Sequence, residues 1–109
     1  MASFAGCGSA SYMVIVRNPS DAPLEDVKLT VGGASVPLGK VAPHTEAGVG
    51  YTGHLPDQVA VDWSIGGARF SKALAVPKEG RPARLHAIVL VIEGAEAKLV
   101  FKEQTPGLS

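Results

Sequence analysis

Val59-Ala60-Val61-Asp62-Trp63-Ser64-Ile65-Gly66-Gly67-Ala68-Arg69-Phe70 decides the fold class of this chain. Two valines, a tryptophan and an isoleucine take every second position, with Ala60, Asp62 and Ser64 between them. Successive side chains leave a strand on opposite sides, so this period of two describes a strand with one buried face. Gly66-Gly67 follows at once. A two-residue hairpin turn needs positive φ at both centres, which glycine adopts without the strain a Cβ brings. The stretch predicts a strand, a tight turn and a returning strand. Phe70 then opposes Trp63, and Arg69 opposes Ser64 within diagonal reach of Asp62. Trp63 is the only tryptophan, and its place in the alternation assigns it to packing.

The same grammar recurs upstream. Val27-Lys28-Leu29-Thr30-Val31 runs into Gly32-Gly33 and returns through Ala34-Ser35-Val36-Pro37-Leu38. Pairing across that turn sets Val31 against Ala34, Leu29 against Val36 and Val27 against Leu38, all on one face. Pro37 has no N–H to give a ladder, so its strand is expected at a sheet edge. The two hairpins match over ten positions but their flanks do not. A shared hairpin vocabulary explains this better than a duplication with related roles in opposed sheets.

Around these hairpins lie further strands. Tyr12 to Arg17 is apolar on both faces, as a central strand would be. Asn18-Pro19-Ser20-Asp21 ends it in a turn, and Pro19 also removes Asn18 as a glycosylation acceptor. After 39–47, the segment Gly48 to Gly53 carries three glycines, which predicts an irregular or bulged strand. His54 to Asp57 reads as a loop. Past Phe70, unbroken pairing would aim Lys72 into the core, so a bulge near Ser71 or an end to pairing is expected. Pro77 to Pro82 is a loop. Leu85 to Ile92 and Ala95 to Lys102 close the chain as a hairpin about Glu93-Gly94. His86, Ile88, Leu90 and Ile92 share a core face with Ala95, Ala97, Leu99 and Phe101. Ala87, Val89 and Val91 share the other face with Glu96, Lys98, Val100 and Lys102. The expectation is an all-β, antiparallel two-sheet sandwich of about 7–9 short strands. Residues 1–11 form a tether, 12–103 the sandwich and 104–109 a tail.

Bulk numbers narrow the function classes. Lys plus Arg and Asp plus Glu are 10 each, a net charge of zero, which argues against nucleic acid or an anionic membrane surface as partner. Charged residues make up 18%, below the roughly 25% of an ordinary soluble domain, so self-association meets little repulsion. No run approaches the ~20 apolar residues of a spanning helix. A single cysteine excludes an internal disulfide.

Two resemblances follow from particular residues. Phe4-Ala5-Gly6-Cys7-Gly8-Ser9 resembles the lipobox of bacterial lipoproteins, in which an apolar residue and two small ones precede the cysteine that receives the lipid. Only Met1-Ala2-Ser3 stands before it, without the basic and apolar leader of that pattern. The other reading is a small-residue terminus with an incidental thiol. Tyr12 to Leu29, Leu38 to Glu46 and the closing pair of strands together resemble the immunoglobulin-like modules of bacterial envelope proteins, of the cell-adhesion-related or conserved-repeat type. In that likeness His44 stands where glycine is usual. The resemblances imply a periplasmic or cell-envelope module, lipid-anchored at Cys7, that serves as a spacer, adhesion unit or accessory subunit. Any contact with a membrane would then be through the lipid alone.

Catalytic and cofactor chemistry is not expected. His44, His54 and His86 lack metal-site spacing, and no serine lies in an elbow motif. His44 and His54 read as surface loop residues, and His86 as a partly buried imidazole at a sheet margin, a pH-sensitive position if buried. Both Gly-Gly pairs lead into strands, unlike a phosphate-binding loop. Val89, Val91 and Val100 lie on the closing hairpin's second face and are the candidate interface, for a protein partner or a homodimer. A rival reading is a small ligand-binding protein, with a carbohydrate or peptide cleft at Tyr51 and His54.

Overall fold

The computed structural model describes residues 11–53, 55–77 and 85–103. They form eight strands: β1 (Ser11–Asn18), β2 (Leu24–Val31), β3 (Ala34–Val41), β4 (Thr45–Thr52), β5 (Gln58–Ile65), β6 (Ala68–Ala75), β7 (Leu85–Glu93) and β8 (Glu96–Glu103). The fold class is all-β, with two four-stranded sheets and no helix among the described residues. Sheet I has the order β4-β1-β7-β8, and sheet II the order β3-β2-β5-β6. Three hairpins stay within a sheet, and the other connections cross between sheets. β1 pairs with β7 in parallel, whereas the remaining described pairings are antiparallel.

Alternation explains why the sheets stack. Tyr12, Val14 and Val16 of β1 and Ile88, Leu90 and Ile92 of β7 meet Leu29, Val31, Val59, Val61 and Trp63 of sheet II in one core. Trp63 is fully buried and stacks on Phe70, ring centroids 5.7 Å apart, in the predicted pairing. Its indole Nε1 donates to the Gly94 carbonyl at 3.0 Å, tying sheet II to the β7–β8 turn of sheet I. Both Gly-Gly turns have positive φ at each glycine, as the hairpin geometry demands.

A second tie is polar. Asn18, at the end of β1, is completely buried. Its Nδ2 donates to the carbonyls of Ala22, Val41 and Ala42, and its Oδ1 accepts from the backbone N–H and hydroxyl of Ser20. One side chain thus closes the β1–β2 turn and pins the end of β3 against it.

Several local expectations are corrected. The two similar hairpins lie side by side in sheet II, which removes the less favoured reading of a duplication placed in opposed sheets. Val27 pairs with Gly39 instead of Leu38, because β2 and β3 each carry an irregularity. Asp26 in β2 has φ 50 and Gly39, next to the skipped Leu38 in β3, has φ 76, so each irregularity includes a left-handed residue and the two shifts cancel by Leu24–Val41. β4 is regular: all eight of its residues pair with β1 without a shift. β5 and β6 likewise pair unbroken, with Lys72 opposite Val61. β6 is an edge strand, so the Lys72 stem leaves along the rim of the core and its Nζ reaches Glu96 of β8 at 3.5 Å. Asp62 is held by Ser71 at 2.6 Å and by Lys28 at 3.6 Å in place of Arg69. Ala95 lies in the turn and is exposed.

Candidate functional site

The outer face of sheet I is built in rows by the strand registers. One row reads Gly48, Ile15, Val89, Val100 across β4, β1, β7 and β8. The row beside it is Glu46, Arg17, Val91, Lys98, and on the other side lies Gly50, Met13, Ala87, Lys102. The middle of this face is apolar and forms a cluster separate from the main core, of Ile15, Ala87, Val89 and Val91 with Met13 packed against them. Of the expected interface residues, Val89 is 1% exposed, Val91 9% and Val100 39%. Val100 is the one large hydrophobic side chain that stands exposed among the described residues.

Glycine shapes this face. A Cβ on Gly48 would lie 2.9 Å from Ile15 Cγ1, 3.1 Å from the Val14 carbonyl and 3.3 Å from Met13 Cε. The side chains of Ile15 and Met13 therefore lean over β4 through the space that Gly48 leaves. Charges bound the apolar centre: Arg17 Nε meets Glu46 Oε2 at 2.9 Å, and Lys98 Nζ lies 3.9 Å from Glu93.

The outer face of sheet II is chemically different. Its corresponding rows join Thr30 to Ser35 at 3.0 Å, and Lys28 and Ser71 to Asp62. One outer face of the sandwich is made to meet water, while the other repeats the chemistry of a core.

A separate recess of about 350 Å³ opens where β1 begins and β4 ends, lined by Ser11, Tyr12, Met13, Gly50, Tyr51 and Thr52. Tyr12 and Tyr51 are neighbours in register and stack at 5.8 Å with a 22° angle between rings. The Tyr51 hydroxyl is buried and has no hydrogen-bond partner among the described residues. Burial pushes both phenols above their ordinary range, and for Tyr12 the neighbouring Tyr51 adds to it. This is an open, mostly apolar recess with one polar atom left to satisfy. His54, expected beside Tyr51, lies outside the described residues, as does Cys7; so does the side chain of His86.

His44 sits in the β3–β4 turn with φ 60, a left-handed conformation that favours glycine, and its Nε2 meets Asp21 Oδ1 at 2.6 Å. Among the described residues no group of three His, Cys, Asp or Glu could hold a metal ion. No described helix is long and apolar enough to cross a membrane. Reasoning from sequence named the three valines but missed Met13 and Ile15 as their neighbours. The doubly apolar β1 was the available signal; its parallel pairing with a strand seventy residues later was not visible.

No family model and no curated protein matches the chain. It is similar to the NMR structure of a protein from Eubacterium rectale, at 10% identity and a TM-score of 0.55, over 96% of this chain and 99% of that one. At that identity the likeness is one of fold.

Proposed function

We propose that this chain is a non-enzymatic interaction or accessory module of the bacterial envelope, docking a protein partner through the outer face of sheet I. The observation that carries the reading is the contrast between the two outer faces: Met13, Ile15, Ala87, Val89, Val91 and Val100 on one, hydrogen-bonded and ion-paired side chains on the other. Ile15, Ala87, Val89 and Val91 are already buried in the single chain, so the docking surface is the part of this face that stays accessible, centred on Val100 and half-buried Met13. An immunoglobulin-like assignment is supported by strand order. β1 beside β4, with β3-β2-β5-β6 opposite, follows strands B and E against C′, C, F and G of that sandwich. β7 then takes the place of strand A, although parallel to its neighbour. The lipobox-like residues around Cys7 support envelope anchoring, and the intact mass of the native protein tests it: an unmodified, unprocessed Cys7 overturns the anchor.

Photo-crosslinking from position 100 tests the docking face, with position 71 on sheet II as its control. A discrete crosslinked partner from position 100, lost in Val91→Lys and not obtained from position 71, is expected. Equal yields from both faces, or none from either, overturn the reading.

The Tyr51 hydroxyl favours a second reading, a carbohydrate or peptide site in the tyrosine recess. Ligand titrations followed by the amide shifts of 11–13 and 50–52 distinguish the two.

A further inference from the structure

Each sheet of an open sandwich ends in strands whose outer N–H and C=O groups can template another chain, and proteins blunt such edges with proline, lysine or bulges. Three of the four edges here are blunted. β3 carries Pro37 and a left-handed Gly39 at an irregularity. β6 carries Arg69 and Lys72, and β8 carries Lys98 and Lys102. β4 has none of these devices. Its sequence, Thr45-Glu46-Ala47-Gly48-Val49-Gly50-Tyr51-Thr52, contains no proline, lysine or arginine. It pairs in full register with β1, and among the described residues no strand pairs with its second side.

We infer that β4 is a pairing edge whose occupant is β4 of a second copy, joined antiparallel about a two-fold axis at Val49. An isologous pair must place each residue opposite one on the same face, since neighbours along a strand alternate. Centring on any residue meets that condition, and Val49 is singled out by the side chains it brings together. Val49 faces its own mate, Gly48 faces Gly50, and Tyr51, the largest side chain of the strand, faces Ala47, the smallest on its side. Glu46, the strand's only charge, faces Thr52, so no like charges oppose each other. The two copies of sheet I become one eight-stranded sheet, β8-β7-β1-β4 continued by its mate. Both apolar outer faces then lie on the same side, doubling the surface on which the proposed docking rests. The edge itself does not depend on that docking.

Sedimentation equilibrium over a wide concentration range, with Thr52→Glu and Thr52→Lys as variants, tests the register. Thr52 is exposed, so both variants keep the fold. A concentration-dependent dimer is expected in the wild type. Thr52→Glu sets two carboxylates against Glu46 of the mate and lowers the association constant about tenfold; Thr52→Lys raises it by a similar factor, because two equivalent pairs change at once. Amide exchange across 45–52 slows as the dimer fills. A wild type that stays monomeric overturns the inference. So does a dimer that ignores the charge at position 52 but dissociates in Val91→Lys, an outcome that would leave the outer-face reading standing.

Discussion

Asn18 shows what a single buried amide does in this chain. Its donors and acceptor are all satisfied at a corner where two inter-sheet connections meet. Asn18→Asp keeps the shape but aims a carboxylate at three carbonyl oxygens, and should cost about 2–4 kcal/mol of unfolding free energy in urea titration. The turn role of Asn18 was legible beside Pro19. Its hub role was not, because two of its partners come from 41 and 42, far along the chain. His44 is the converse case. It holds a side chain at a φ of 60, a conformation that glycine adopts without strain. His44→Gly relieves left-handed strain of roughly 1 kcal/mol and gives up an exposed contact to Asp21 worth less, so the thermal midpoint should rise slightly.

At the scale of strands, legibility followed sequence distance. The register of Trp63 with Phe70 was readable from alternation and the Gly66-Gly67 turn, whereas the closing hairpin turns at Gly94-Ala95, one residue later than expected, and so sets Ile88 opposite Phe101. The compensating shifts at Asp26 and Gly39 were missed, and their one local trace was the spacing of three between Leu24 and Val27 where a regular strand would show two. β4 was misjudged for a physical reason. Three glycines in six residues weaken a strand considered alone, yet Gly48 is present because Ile15 and Met13 occupy the space a side chain would need. Gly48→Ala should therefore destabilise the fold by about 1–3 kcal/mol through overpacking, despite alanine's better backbone entropy. Gly50→Ala, whose Cβ would meet nothing within 4 Å, should be neutral or mildly stabilising. Equilibrium denaturation of the pair separates a packing role for Gly48 from a generic glycine effect. Lys72 makes the same point about context: alternation alone sends it inward, whereas its place at an edge opens a route to Glu96.

For the molecule as a whole, the two tyrosines at the mouth of the sandwich link its folding equilibrium to alkaline pH. Tyr12 belongs to β1 and Tyr51 to β4, so ionising either phenol places charge where these strands enclose the recess. Their folded pKa values lie above the ordinary 10.0 because burial disfavours the phenolate. The unfolded chain thus releases these protons at lower pH than the native state does. The stability they confer is complete below pH 10 and is lost as pH rises through the folded values. Lysines titrate in the same region, so the informative quantity is the difference between wild type and Tyr51→Phe. Above pH 10 the wild type should lose stability more steeply than the variant. At neutral pH the variant should be more stable by about 1 kcal/mol, since it removes a buried hydroxyl with no partner among the described residues. A residue whose removal stabilises the fold is a candidate for service outside it. If the recess takes a ligand, Tyr51→Phe will gain stability and lose binding together; a gain in stability with unchanged binding to every probe assigns the recess to packing.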